Sequence, residues 1–259
     1  MLTVLFLSQK GGVGKTLIIT SLATALAMRG YRTWLIDLDP NATASKVLGA
    51  NNPSNVNGSL TYLMGVARTV KVSTAFIEDG NISSIRIIPP GTSPVANPYG
   101  ALPSASVLSS RLSSLIRGIG SYRARPNFIL IDTPALSPAL SPGLTTALIS
   151  NTEVITLVAT DEPGGMGWLG NMLEYASAIG PGRESIIILN RLSSIKGGLD
   201  IGVKNVIKIL RNSAIEAAWR LGSIPYLIKD PGLSQFRRAI DELTALLERL
   251  NAERVWARP

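Results

Sequence analysis

The sequence predicts an α/β fold in three layers, with a mostly parallel, twisted central sheet and helices on both faces. Three observations predict it. A short apolar run, residues 2–7, leads through a glycine-rich turn into a helix-compatible apolar run, residues 17–28. Short apolar runs of strand length then recur along the chain, with helix-length segments among them. Finally, 46% of the 259 residues are hydrophobic, enough for one large core in a single domain spanning residues 1–259.

Composition narrows the chemistry. There is no cysteine, so there is no disulfide, thiolate metal site or cysteine nucleophile. There is no histidine, so zinc sites and general bases built on histidine are excluded. Hydrolysis would have to use carboxylates, lysines, backbone groups and metal. No uniformly apolar run is long enough to span a bilayer. The first residues read as a strand, not as a signal peptide. The net charge of +8 favours an anionic partner, nucleic acid or an acidic membrane, without choosing between them.

The first strand delivers Gln9-Lys10-Gly11-Gly12-Val13-Gly14-Lys15-Thr16. This fits G-x-x-x-x-G-K-[ST] only if the first glycine is relaxed, because position 9 is Gln. The physics survives the mismatch. Gly11, Gly12 and Gly14 let the backbone curl so that its N–H groups face phosphate. Lys15 reaches the terminal phosphates, and the Thr16 hydroxyl is placed for a magnesium ion. The following helix turns its positive end to the same site. The nucleotide-binding stretch is therefore Gly11, Gly12, Val13, Gly14, Lys15, Thr16 and Leu17. The alternative is a plain glycine turn between a strand and a helix.

Residues 10–16 resemble the deviant Walker A loop of the ParA/MinD ATPases, whose mark is a second lysine before the two glycines. The resemblance implies a P-loop NTPase fold and a magnesium-dependent ATPase that converts ATP to ADP and phosphate. It also implies a nucleotide-sandwich homodimer in which Lys10 crosses to the partner subunit's phosphates.

Residues 33–36 form the second strand, closed by Asp37-Leu38-Asp39-Pro40-Asn41. Two carboxylates at the end of a buried strand are costly unless they meet a cation, water or donors. The alternative is a capped turn, with Asp39 starting a helix near residues 42–48. The stretch resembles the family's D-x-D-P motif, which implies Asp37 near magnesium and Asp39 orienting the attacking water. A short helix begins over residues 60–64, residues 66–80 show mixed periodicity, and a strand covers residues 82–88. A Pro, Gly and Ser-rich loop covers residues 92–103, and a helix covers residues 102–118. Arg117, Arg123 and Arg125 then read as a solvated rim.

Residues 128–131 form a strand ending in Asp132-Thr133-Pro134, the position and form of a Walker B carboxylate able to hold magnesium-bound water. Ala135 stands where the family carries a second proline. A strand over residues 153–159 precedes Thr160-Asp161-Glu162-Pro163 and a glycine-rich helix start. Another, residues 185–189, ends at Asn190, which resembles the family's base-contacting asparagine; a strand-end cap is the alternative. Residues 193–202 read as an exposed loop and residues 203–221 as a helix. Residues 224–228 read as a short strand containing Pro225, where the family often has a proline beside the adenine. The last helix, residues 233–250, carries an apolar stripe at 3.6-residue spacing.

The leading function is a ParA-like partition ATPase. ATP would lock the dimer, the dimer would bind DNA without sequence preference, and a separately encoded ParB-like centromere-binding protein would stimulate hydrolysis and release it. Such a protein is cytoplasmic and nucleoid-associated when ATP-bound. Lys204, Lys208 and Arg211, at i, i+4 and i+7 of the helix over residues 203–221, are the candidate DNA contacts; a solvated helix face is the alternative. A MinD-like membrane positioning switch is the second reading, but the tail after Leu250 is too short and too weakly amphipathic for an anchor. A small metabolic or maturation ATPase is the third. No helix-turn-helix segment precedes the loop.

Overall fold

The computed structural model describes residues 1–50, 56–78, 82–136, 141–162, 166–194 and 203–256. The central strand is β1 (Leu2–Leu7), buried at all six positions. The others are β2 (Thr33–Asp37), β3 (Ser73–Glu78), β4 (Ile82–Ile88), β5 (Phe128–Asp132), β6 (Val154–Thr160), β7 (Glu184–Leu192) and β8 (Asn205–Leu210). They form one sheet in the order β3-β4-β2-β5-β1-β6-β7-β8. Every neighbouring pair is parallel except β3 with β4. Strands covered on both faces need apolar residues at most successive positions, which is why β1, β5 and β6 read as near-continuous apolar runs, interrupted only by Thr3, Thr156 and the terminal Asp132 and Thr160.

The helices are α1 (Lys15–Met28), α2 (Thr43–Val47), α3 (Ser59–Met64), α4 (Ala105–Gly120), α5 (Pro142–Ser150), α6 (Leu169–Ile179), α7 (Ser213–Arg220) and α8 (Ser234–Trp256). Alternation along β1 assigns the layers. Leu2, Val4 and Phe6 share a core with α1, α7 and α8, whereas Leu5 and Leu7 share one with α3, α4, α5 and α6. α1 lies between the sheet and α8, so residues all round it are buried. The predicted stripe of α8 is buried throughout, from Phe236 and Ile240 to Leu250.

Several expectations change. Within the stretch of mixed periodicity, Ser73–Glu78 form the antiparallel edge strand β3, and α5 is not anticipated from the sequence. Residues 224–228 are not a strand. Pro225, which has no N–H to give a ladder, opens a 3-10 turn over Pro225–Leu227, with Leu227 N–H bonded to the Ile224 carbonyl at 3.0 Å. The stretches 163–165 and 195–202, the latter most of the expected exposed loop, lie outside the described residues, as does the end of the tail, 257–259.

The largest correction is the helix over residues 203–221, which divides into strand β8 and helix α7. Asn212 separates them, its side chain accepting the Ala214 N–H at 2.8 Å as the cap of α7. Lys204, Lys208 and Arg211 therefore do not form a helical stripe. Lys204 precedes the strand, Lys208 lies within it, and Arg211 follows it. Only Lys208 is a residue of β8, and Arg211 lies just past its last residue, Leu210. The Arg211 guanidinium meets Glu162 at 3.2 Å. β8 pairs in parallel with β7, so its two faces are covered by Ile207 and Ile209 on one side and Val206 and Leu210 on the other.

The parallel order has one consequence for function. β1 lies between β5 and β6, where consecutive connections leave in opposite directions along the sheet. The loops after β1, β2, β5 and β7 open at the same carboxyl edge, which is where such sheets hold ligands.

Candidate nucleotide site

β1 ends at Leu7, and the chain turns through residues 8–14 before α1 starts at Lys15. Gly12 (φ 77°) and Gly14 (φ 91°) take the left-handed conformation that favours glycine. Gly11 does not, and a side chain there would meet nothing within 4 Å, so the backbone demands two of the three expected glycines. At Gly14 a Cβ is excluded a second time, because it would stand 2.3 Å from Asn190 Nδ2. That amide donates to the Val13 carbonyl at 2.8 Å. Asn190, at the carboxyl end of β7, thus holds the turn in shape.

Residues 10–17 line a cavity of about 340 Å³, together with Asp39, Asn190 and Arg191. The unsatisfied first-turn N–H groups of α1 open onto it. Lys10 is exposed at its mouth. Behind the loop, Lys15 and Asp132 are both buried, with Nζ 2.5 Å from Oδ1. Lys15 also donates to the Thr133 carbonyl. The second Asp132 oxygen accepts the Thr16 hydroxyl at 3.0 Å.

Asp37 and Asp132 are register partners on adjacent parallel strands, and neither is exposed. Burial first, and the neighbouring Asp132 charge second, push Asp37 up to about 7, against bonds from Ser45 and the Asp39 N–H that hold it down. Ser45 donates twice to Asp37 Oδ2, from its hydroxyl at 2.7 Å and its N–H at 3.0 Å. The donor set of Thr16 hydroxyl, Asp132 and Asp37 beside a phosphate loop fits Mg²⁺, which takes few protein ligands and keeps water and phosphate oxygens for the rest. Among the described residues no cluster of three or more acidic side chains offers a fuller cage.

Asp39 is half-buried, lines the cavity, and accepts the Asn41 N–H at 2.9 Å. One side chain thus both forms the turn and faces the cavity. The segment is held from behind: Tyr99 donates to the Leu38 carbonyl at 2.7 Å, and Leu38 N–H to the Asp132 carbonyl at 2.9 Å.

Pro225 is buried and is not among the residues lining the cavity. The wall near Asn190 is supplied instead by α7, through Ile215, Glu216, Trp219 and Arg220. Sequence reasoning missed these, and it missed Ser45. The one available signal was Asn212, a cap residue before an amphipathic turn. Arg191, beside the wall, has φ 58° at a break in the β7–β8 register, a strained setting typical of functional positions.

Comparison with known proteins bears on this geometry. A family model described as the CobQ/CobB/MinD/ParA nucleotide binding domain matches residues 4–253. The chromosome-partitioning ATPase Soj of Treponema pallidum is 38% identical over 77 residues, 29% of this chain and 30% of that protein. The cell division protein PomZ of Myxococcus xanthus is 29% identical over 130 residues, 50% of this chain and 38% of that one. The chain thus aligns with less than half the length of these curated relatives. Among solved structures, the cell division ATPase MinD of Pyrococcus furiosus superposes with a TM-score of 0.66 at 22% identity, covering 95% of this chain and 99% of that one. A putative plasmid partition protein of Borrelia burgdorferi, bound to AMPPNP, gives 0.68 at 14% identity, covering 93% and 98%.

Proposed function

The chain belongs to the CobQ/CobB/MinD/ParA nucleotide-binding family, and on that premise we propose that it is a ParA-like partition ATPase that cycles between monomer and ATP-bound dimer. The observation that carries this reading is the pair of lysines on one loop. Lys15 is buried against Asp132 behind the loop, while Lys10 stands exposed at the cavity mouth, where a second subunit would meet it.

In this reading the loop N–H groups and Lys15 bind the phosphates. Thr16 with Asp132, backed by Asp37, would hold Mg²⁺, which neutralises phosphate charge. Asp39 orients water, with little basicity of its own, so turnover is slow without a partner protein. Asn190 and the α7 wall hold the base. Lys10 stabilises charge on the other subunit's nucleotide. The dimer binds DNA through its phosphates, without reading bases, and a ParB-like protein releases it by stimulating hydrolysis. Among the described residues no helix is long and apolar enough to cross a membrane.

The test compares duplex DNA of random sequence with anionic vesicles, each with and without ATP. Dimerisation joins two DNA-binding surfaces, so ATP is expected to raise duplex affinity at least about tenfold. ATP-dependent vesicle pelleting with no gain in duplex affinity would contradict partition and favour a membrane positioning role.

A further inference from the structure

The positive charge of this chain is unevenly placed. Residues 40–131 carry eight Lys and Arg against two acids, a net +6 of the chain's +8. Residues 80–131 contain no acid at all. The fold gathers much of this charge at the amino edge of the sheet, where β2, β4 and β5 begin. There a cavity of about 310 Å³ is lined by Arg32, Arg86, Tyr122 and Ala124, among others. Arg123 and Arg125 flank Ala124. All four arginines are exposed, and none has a carboxylate partner among the described residues. Tyr122 is 47% exposed, and its ring is fixed edge-on to Trp34 at 5.1 Å.

Part of this charge has a structural use. α1 and α4 end near the rim, and cations offset the partial negative charge of helix carboxyl ends. Arg32 holds the Arg125 carbonyl at 2.5 Å, and Arg117 bonds Ser113 at 2.9 Å on its own helix. Among the described residues, the side chains of Arg86, Arg123 and Arg125 make no bond of this kind. Nearby Arg29 shows the contrast, being paired with both Asp241 and Glu248.

We propose that Arg86, Arg123 and Arg125, around the Tyr122 cavity, form a docking surface for the phosphate backbone of duplex DNA that works without nucleotide. Arg86 is carried by β4, opposite Trp34 of β2, and Arg123 and Arg125 by the loop that leads into β5, and their forked donors suit phosphate oxygens. A membrane surface would call for an amphipathic helix, which this rim is not. The rim lies at the opposite end of β2 from Asp37, four strand steps or about 13 Å away. Nucleotide binding and any dimer face at the carboxyl edge leave it uncovered. The inference rests on the partition reading only in taking DNA as the polyanion, and its test needs no ATP, so the two fail separately.

The experiment measures binding of a random 30-base-pair duplex by fluorescence anisotropy, without nucleotide, over a salt series. Wild type is compared with the triple variant Arg86→Gln, Arg123→Gln, Arg125→Gln and with the same three positions changed to Glu. ATP affinity serves as the control for folding. The glutamine variant is expected to lose at least about tenfold in affinity, with the slope of log K against log salt shallower by about 3, and the glutamate variant is expected to lose more. Both should keep normal ATP affinity. Unchanged slope and affinity in both variants would overturn the proposal. So would a wild type that binds duplex only when ATP is present, or one that binds anionic vesicles and not duplex.

Discussion

Lys15→Ala is expected to lower ATP affinity by about 10- to 100-fold, the worth of one or two charge-assisted hydrogen bonds to phosphate. Hydrolysis should fall further, by about 100- to 1,000-fold, because in the proposed role the same ammonium would face charge that grows in the transition state. The structure adds a second consequence. Lys15 Nζ lies 2.5 Å from Asp132 Oδ1, with both groups buried, and Asp37 is the register partner of Asp132. Removing the ammonium leaves two adjacent buried carboxylates without a cation. Breaking a buried pair from one side costs about 3–5 kcal/mol, so the variant should also melt earlier. Lys15→Gln can still donate to Asp132 and separates the two effects: it should recover part of the stability while remaining defective in ATP binding. Calorimetry with ATP and Mg²⁺, on protein shown to be folded, checks this. Undiminished ATP affinity in either variant would remove Lys15 from the phosphate site.

Asp39 is expected to matter for turnover and little for binding. Asp39→Ala should bind ATP within a few-fold of wild type and hydrolyse it about 100-fold more slowly, the lower end of what a positioned acid–base group contributes. The turn geometry supplies the control. Asp39 Oδ1 accepts the Asn41 N–H at 2.9 Å, and an asparagine oxygen can accept the same bond. Asp39→Asn therefore keeps the turn and removes the charge. Single-turnover phosphate release should be slow in both variants. A normal rate in Asp39→Asn would mean that the residue shapes the loop and does not align water.

The parts of the site that were legible in the sequence are those whose chemistry is local. Residues 10–16 concentrate two lysines, three glycines and a hydroxyl between a strand and a helix, and all of them line one cavity. Asp37 and Asp132 were legible because each ends an apolar run, and parallel pairing of β2 and β5 then sets them side by side. Ser45 was not. Its bond to Asp37 depends on how α2 folds back, and a spacing of eight residues carries no signal of that. β8 was misread because residues four apart share a face in a strand as well as in a helix, so Lys204 and Lys208 satisfied both periods. What distinguishes them is the pairing of β8 with β7, a tertiary fact. Pro225 is absent from the cavity lining for a related reason: proline marks a turn, and only the packing of α7 decides which residues face the cavity.

The central claim is a nucleotide-gated dimer in which Lys10 acts across the interface. It is tested most directly by light scattering of wild type and Lys10→Ala, each with ATP and Mg²⁺ and each without. Wild type is predicted to shift from the 27.5 kDa mass of one chain to twice that mass when ATP is added. Lys10→Ala is predicted to bind ATP and remain at the mass of one chain. The same ATP-dependent doubling in both proteins would contradict the account, as would a wild type whose mass ATP does not change.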